Sequence, residues 1–154
     1  MLALLFQIGS DRLALDVRRI KEVVPRVHLQ PLACSPSWLA GALVYRGQVV
    51  PVIDLHRLAG VGECPPLLSS RIILVLQPGC EDGRLLGLLA SQVADLQELE
   101  TEGELLTRLH ENGRPDLGPV LADRDGVLRL VDLDRLLPEA VRGSLLTLTR
   151  RESP

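Results

Sequence analysis

Few side chains in this 154-residue sequence could carry chemistry. They are three histidines (His28, His56, His110), three cysteines (Cys34, Cys64, Cys80), the similarly placed Asp54 and Asp132, the alternating acids Glu98, Glu100, Glu102 and Glu104, and Arg46. Histidine and cysteine suit metal ligation or nucleophilic attack, and paired carboxylates suit general acid–base work. The spacing favours none of these. No histidine or cysteine has a second ligand at metal spacing, and no CxxC occurs. Cys34 near His28 could suggest a thiol–imidazole pair. No glycine cluster that could form an oxyanion hole accompanies it, so a structural thiol is the better reading. The histidines read as surface or capping groups. The alternating glutamates lack the Asp-rich loop that calcium needs and read as a solvated edge or loop. Neither GxGxxG nor GxxxxGK[ST] is present. The expectation is a protein with no enzyme activity, no metal and no cofactor.

Arg46 is left. It follows Tyr45, precedes Gly47 and lies between two apolar runs. Arginine and tyrosine are favoured at interface hot spots, and Gly47 permits the positive φ of a tight turn. Spacing alone leaves two readings open, a solvated turn arginine or an anchor for a partner.

The elements that must position these residues are mostly strands. Hydrophobic residues make up 46% of the chain and aromatics only 2%, so the core must be built from Leu, Val, Ile and Ala. Leu4–Ile8 and Arg12–Val17 flank the turn Gly9-Ser10-Asp11 and form a first hairpin. Val17–Val24 reads as short helical or irregular, with Ile20, Val23 and Val24 on one face, and Val27–Leu29 as a brief strand. Pro31–Trp38 is a loop. Ala42–Tyr45 and Gln48–Ile53 form a hairpin across Arg46-Gly47, and Pro51 suggests an edge position or a bulge. Asp54 caps a short helix, Leu55–Leu58, ended by Gly60. Arg71–Leu76 and Arg84–Ala90 form another hairpin, and Ser91–Leu99 a further strand. Thr101–Asp116 is irregular. Val120–Ala122 and Val127–Val131 pair across Asp125-Gly126, Asp132 caps Leu133–Leu137, and a last helix or strand can follow Ala140.

An internal echo organises this series. Val52-Ile53-Asp54-Leu55-His56-Arg57-Leu58 matches Leu130-Val131-Asp132-Leu133-Asp134-Arg135-Leu136 at an offset of 78. Both copies follow a hairpin that begins just after a glycine, Gly41 or Gly118. The repeat implies two similar small barrels, each carrying a helical turn capped by its aspartate. The expected organisation is one domain over 1–140, with two lobes not separable in sequence, and a partly frayed extension over 141–154.

The net charge of −3 and the lack of a Lys/Arg run argue against nucleic-acid binding. The longest apolar run, Trp38–Tyr45, is far short of the roughly 20 residues a bilayer span requires. No direct membrane insertion is expected. Widely spaced cysteines in odd number fit a reducing cytoplasm.

The ordered motifs resemble the CheW-like coupling domain of bacterial chemosensory systems over Leu4–Leu137. Leu5-Phe6-Gln7-Ile8-Gly9 and Leu13-Ala14-Leu15-Asp16-Val17 are similar to its first hairpin, and Ile20-Lys21-Glu22-Val23 to its V-x-E-V/I element. Pro36–Gly41 resembles its P-x-[WF]-[IL]-x-G segment. Arg46–Leu55 matches its RG-x-x-x-P-[VI]-[VI]-D-L stretch, and Gly87-Leu88-Leu89 with Val93 its G-[IL]-x-V-D-x-V element. Two departures stand out: Val44-Tyr45 where the family has Asn-Leu, and Ala90-Ser91 where it has Val-Asp. The Tyr-Arg-Gly variant looks like the adaptors of Wsp-type surface-sensing systems, whose output is a diguanylate cyclase.

The resemblance implies a mainly β fold of two intertwined five-stranded SH3-like barrels with a few short helices. It implies a non-catalytic adaptor, cytoplasmic and associated with membrane-bound receptor arrays. Its partners would be the cytoplasmic domain of a methyl-accepting chemoreceptor and the regulatory domain of a CheA-type histidine kinase. An alternative on the same fold is a scaffold or response-regulator-binding protein of a related two-component pathway. Carried over residue by residue, Ile20, Glu22, Val23, Gly41, Arg46 and Gly47 fall at or near kinase and receptor contacts. Val93 and Leu96 fall in a receptor-linked region, and Tyr45 is the position expected to set which system is served. Ile20 and Val23 would form an exposed apolar patch rimmed by Glu22 and Arg46.

Overall fold

The computed structural model describes residues 1–78, 83–93, 95–99, 117–123 and 125–137. Ten strands and two short helices follow in order: β1 (Leu2–Ile8), β2 (Asp11–Asp16), β3 (Ile20–Pro25), β4 (Leu39–Tyr45), β5 (Gln48–Asp54), α1 (Leu55–Leu58), β6 (Arg71–Leu76), β7 (Leu85–Ala90), β8 (Leu96–Glu98), β9 (Val120–Asp123), β10 (Gly126–Leu130) and α2 (Leu133–Leu136). They make two five-stranded sheets, ordered β8-β1-β2-β10-β9 and β3-β6-β7-β5-β4.

The echo is structural. In each sheet a central hairpin (β1–β2 or β6–β7) pairs in parallel with the second strand of an outer hairpin (β10 or β5). That second strand runs into the Asp-capped helix. The fifth strand is exchanged: β3 leaves the first hairpin to edge the second sheet, and β8 leaves the second hairpin to edge the first. The expected mainly β, intertwined architecture is present.

Near-continuous apolar strands follow from burial on both faces. From β6, Ile73 and Val75 enter a core shared between the sheets, while Ile72 and Leu74 enter a second core with Val50, Val52 and Cys64. β7 splits the same way, with Leu86 and Leu88 facing the shared core and Leu85 and Leu89 the other side. From the first sheet, Leu4, Phe6, Ile8, Leu13 and Leu15 join the shared core, and Ala3 and Ala14 line a third cluster with Leu121 and Leu128. Aliphatic side chains fill these layers at aromatic-poor composition.

Four expectations are corrected. Val17–Val24 is a 3-10 turn over Val17–Arg19 followed by strand β3. The register shift between Ile20 and Glu22 makes Lys21 a bulge residue. A bulge breaks strict alternation, so Ile20, Val23 and Val24 mimic helical spacing within a strand. Val27–Leu29 forms no strand; its neighbour Gln30 instead bridges to Ala42 of β4. The strand expected over Ser91–Leu99 shortens to β8, because Gln92 takes a left-handed φ of 52° after Ser91 has bridged to Gln7. Pro51 lies on an interior strand. Ala42, opposite it, directs its N–H and C=O to Gln30, so the pair is not hydrogen-bonded, and pairing to β7 begins only at Val52. The proline's missing N–H therefore breaks no ladder bond. The expectations for 101–116 and for the chain from 140 onward lie outside the described residues.

The Gln30–Ala42 bridge joins the segment leaving β3 to β4, the two outer strands of the second sheet, and so curls that sheet toward closure. Gly41 sits against this seam. A Cβ there would lie 2.8 Å from the Gln30 carbonyl oxygen.

Candidate interaction surface

Tyr45 pairs with Gln48 across the two-residue turn Arg46-Gly47. Both turn residues are left-handed, with φ 49° at Arg46 and 78° at Gly47. This is the I′ geometry whose twist suits a hairpin, and for which asparagine or glycine is the usual first residue. An arginine there costs about 1 kcal/mol of backbone strain.

Two contacts hold the turn. The Tyr45 hydroxyl donates to the Glu22 carboxylate of β3, a second tie between the outer strands of the curled sheet. That hydrogen bond raises the phenol's pKa, which burial raises further and the Arg46 charge opposes. The Arg46 guanidinium lies 5.1 Å from the Tyr45 ring centroid, a cation–π contact. Glu22, Arg46 and Gly47 are exposed and Tyr45 half-buried.

Around this turn opens a shallow cleft of about 540 Å³, lined by Arg18, Arg19, Lys21 and Arg46 over Ile20 and Leu76. Arg18 pairs with Asp16 at 2.7 Å, which lowers the pKa of the aspartate, and Arg19 reaches Asp134 at 3.4 Å. Leu76 is 50% exposed. The sequence reading missed this cleft. Its one sequence signal was the basic pair Arg18-Arg19 with Lys21, which the structure places on the 3-10 turn and on the bulge that follows it.

The structure thus brings Ile20, Glu22, Val23, Tyr45, Arg46 and Gly47 to one end of the second sheet. Ile20 and Val23 are half-buried and pack against the shared core, so they do not form the expected exposed patch. Gly41 is buried, and Val93 is 2% exposed within the shared core, so neither offers side-chain surface to a partner. Leu96 is 59% exposed on β8, an edge of the other sheet.

The caps behave as expected and differ in depth. Buried Asp54 accepts the N–H groups of His56 (2.9 Å), Arg57 (3.4 Å) and Cys64 (2.9 Å). Asp132 accepts one, from Asp134 at 3.1 Å. His56 is not a surface group. It is 4% exposed, and its Nε2 accepts the Gly9 N–H of the β1–β2 turn at 3.1 Å, linking the two sheets. Burial lowers its pKa, with Asp54 opposing. Cys64 is buried and Cys34 exposed. Among the described residues no cluster of His, Cys, Asp and Glu could hold a metal, and no helix is long and apolar enough to cross a membrane.

This topology and the Arg46–Leu55 hairpin can be set beside known proteins. The CheW-like domain family matches residues 2–141. The chain belongs to that family. The chemotaxis protein CheW of Thermotoga maritima is 28% identical over 136 residues, covering 87% of this chain and 85% of that one. The CheW of Treponema pallidum is 31% identical over 52 residues, 34% of this chain and 31% of the relative. The crystal structure of scaffolding protein TtCheW from Thermoanaerobacter tengcongensis superposes with a TM-score of 0.74, covering 89% of this chain and 87% of that one at 22% identity. That likeness concerns the fold. CheW-like membership accounts for the RG-x-x-x-P-[VI]-[VI]-D-L stretch, whose aspartate caps α1 here at Asp54 and whose proline is tolerated at Pro51.

Proposed function

We propose that this CheW-like protein is a non-catalytic adaptor in chemotaxis-like signalling. It couples the cytoplasmic tips of methyl-accepting chemoreceptors to the regulatory domain of a CheA-type histidine kinase, in the cytoplasm at receptor arrays. The observation that carries the reading is Arg46. A charged side chain is kept, at a cost in strain, at an exposed turn that glycine or asparagine would relax. Ile20, Glu22, Val23, Tyr45 and Gly47 frame it, and Leu96 supplies an apolar contact on the other sheet.

Coupling works by contact. Two interfaces on one β scaffold let a receptor movement bias the kinase equilibrium, provided the contacts differ between states. Each interface is expected at or below about 800 Å² per partner. Co-purification with a receptor signalling domain and a kinase regulatory domain is the direct test. The wild type should retain both, and Arg46→Glu should weaken retention while leaving the melting transition in place. Failure of the wild type to bind either domain refutes the reading. Binding to a response regulator and to no receptor would favour a scaffold role in a related pathway.

A further inference from the structure

We infer that the cleft beside the Arg46 turn docks an acidic segment of a protein partner, with carboxylates on Arg46 and Lys21 and an apolar side chain over Ile20 and Leu76. The inference rests on the adaptor reading and names the chemistry of one docking surface.

Four cations line the cleft, and their internal partners divide them unequally. Asp16 occupies Arg18 and Asp134 occupies Arg19. Glu22 accepts from the Tyr45 hydroxyl and is in no ion pair with Arg46. Arg46 has the Tyr45 ring as its neighbour, and neither it nor Lys21 has a carboxylate partner among the described residues. Glu22 keeps its negative charge while accepting from Tyr45, so Arg46 and Lys21 together exceed it by one positive charge. Among the described residues these two cations without a carboxylate partner are presented by irregular backbone, Lys21 by a bulge and Arg46 by a left-handed turn.

The rest of the molecule sharpens the choice of ligand. The chain carries a net charge of −3, so a local cationic cleft stands against an acidic background and steers an acidic ligand to one place. An anionic membrane is the weaker fit. At about 1 kcal/mol per basic residue, two cations without a carboxylate partner among the described residues fall short of the clusters of four to eight that hold a protein on lipid. The exposed Leu76 and half-buried Ile20 add an apolar requirement that a peptide meets.

The test is an amide chemical-shift titration of the full chain at low and high salt. The probes are the capped peptide Gly-Glu-Leu-Glu-Gly-Leu-Glu-Gly and its counterpart with Lys at each Glu. The acidic peptide should perturb the amides of Lys21, Arg46, Gln48 and Leu76, and the basic one should not. Lys21→Glu with Arg46→Glu should weaken the acidic peptide by at least about tenfold and admit the basic one. Arg46→Asn is the folding control, raising the melting temperature while weakening the peptide. Equal response to both peptides, shifts elsewhere, or an unaffected double variant overturns the inference. So does binding to phosphatidylglycerol vesicles without peptide binding. If receptor and kinase domains fail to bind the wild type, the adaptor reading falls alone, because the titration reads the cleft directly.

Discussion

Asp54 and Asp132 occupy the same place in the repeat, yet removing them should cost very different amounts. Asp132 accepts one N–H, and its side chain is 37% exposed. Its replacement by alanine loses an exposed cap, about 1 kcal/mol. Asp54 accepts three N–H groups, and its side chain is 3% exposed. Asp54→Ala loses the cap and strands the buried Cys64 N–H, which water cannot reach, at a further penalty of roughly 1–3 kcal/mol. The expected total is about 3 kcal/mol, leaving a gap of about 2 kcal/mol between the variants. Asp54→Asn should fall between wild type and Asp54→Ala, because one amide oxygen still accepts while the NH2 group meets a donor. Urea denaturation followed by far-ultraviolet circular dichroism, with m-values held equal, measures the gap directly. In thermal melts it corresponds to roughly 4–8 °C for a chain of this size. Equal losses within about 0.5 kcal/mol would refute the claim that the Cys64 contact sets the difference.

Three further outcomes follow from the same geometry. His56 is held neutral below its ordinary pKa of 6.5, chiefly by burial, while the unfolded chain takes up the proton. Its contribution is therefore fully present above about pH 6.5 and is lost as pH falls below it, at no more than about 1.4 kcal/mol per pH unit. His56→Gln should flatten that part of the stability–pH curve, and an unchanged slope would show that other groups titrate there. Gly118→Ala would place a Cβ 1.9 Å from the Leu130 carbonyl oxygen, whereas Gly126→Ala meets nothing within 4 Å, both at positive φ. The first should cost more than about 3 kcal/mol and the second about 1 kcal/mol; calorimetry on both separates steric clash from backbone strain. Tyr45→Leu removes the bond to Glu22 and the ring beneath Arg46, so pull-downs with paired receptor and kinase domains should show altered preference. Unaltered preference would remove Tyr45 from any role in choosing the partner.

What could be read along the chain was local. The turn at Arg46-Gly47 and both Asp caps depend on neighbouring residues, and all three occur where the sequence places them. The β9–β10 hairpin also forms, but Gly126, expected in its turn, belongs to β10 and pairs with Asp123. β3 was misread because its bulge at Lys21 moves the apolar residues from spacing two to spacing three. The burial of His56 was hidden because its partner, Gly9, is 47 residues away on the other sheet. The cleft was hidden for the same kind of reason. Lys21 comes from one edge strand of the second sheet, with Arg18 on the turn just before it, and Arg46 follows the other edge strand; the curl that bonds Tyr45 to Glu22 brings these edges together. The exposure expected of Ile20 and Val23 does not hold, since both pack against the shared core from a strand paired with β6.

The exchanged edge strands also impose a timetable on the chain as it leaves the ribosome. Every strand of the second sheet has been made once Ala90 emerges. The first hairpin is made earliest and must wait longest. β1 meets β8 only after Glu98 has emerged, and β2 meets β10 only after Leu130. During that interval β1 and β2 carry unpaired outer flanks of the kind that invite pairing with other chains. The sheet that holds β1 is thus the last to have all its strands made, and until Gly126–Leu130 is made β2 lacks its outer neighbour.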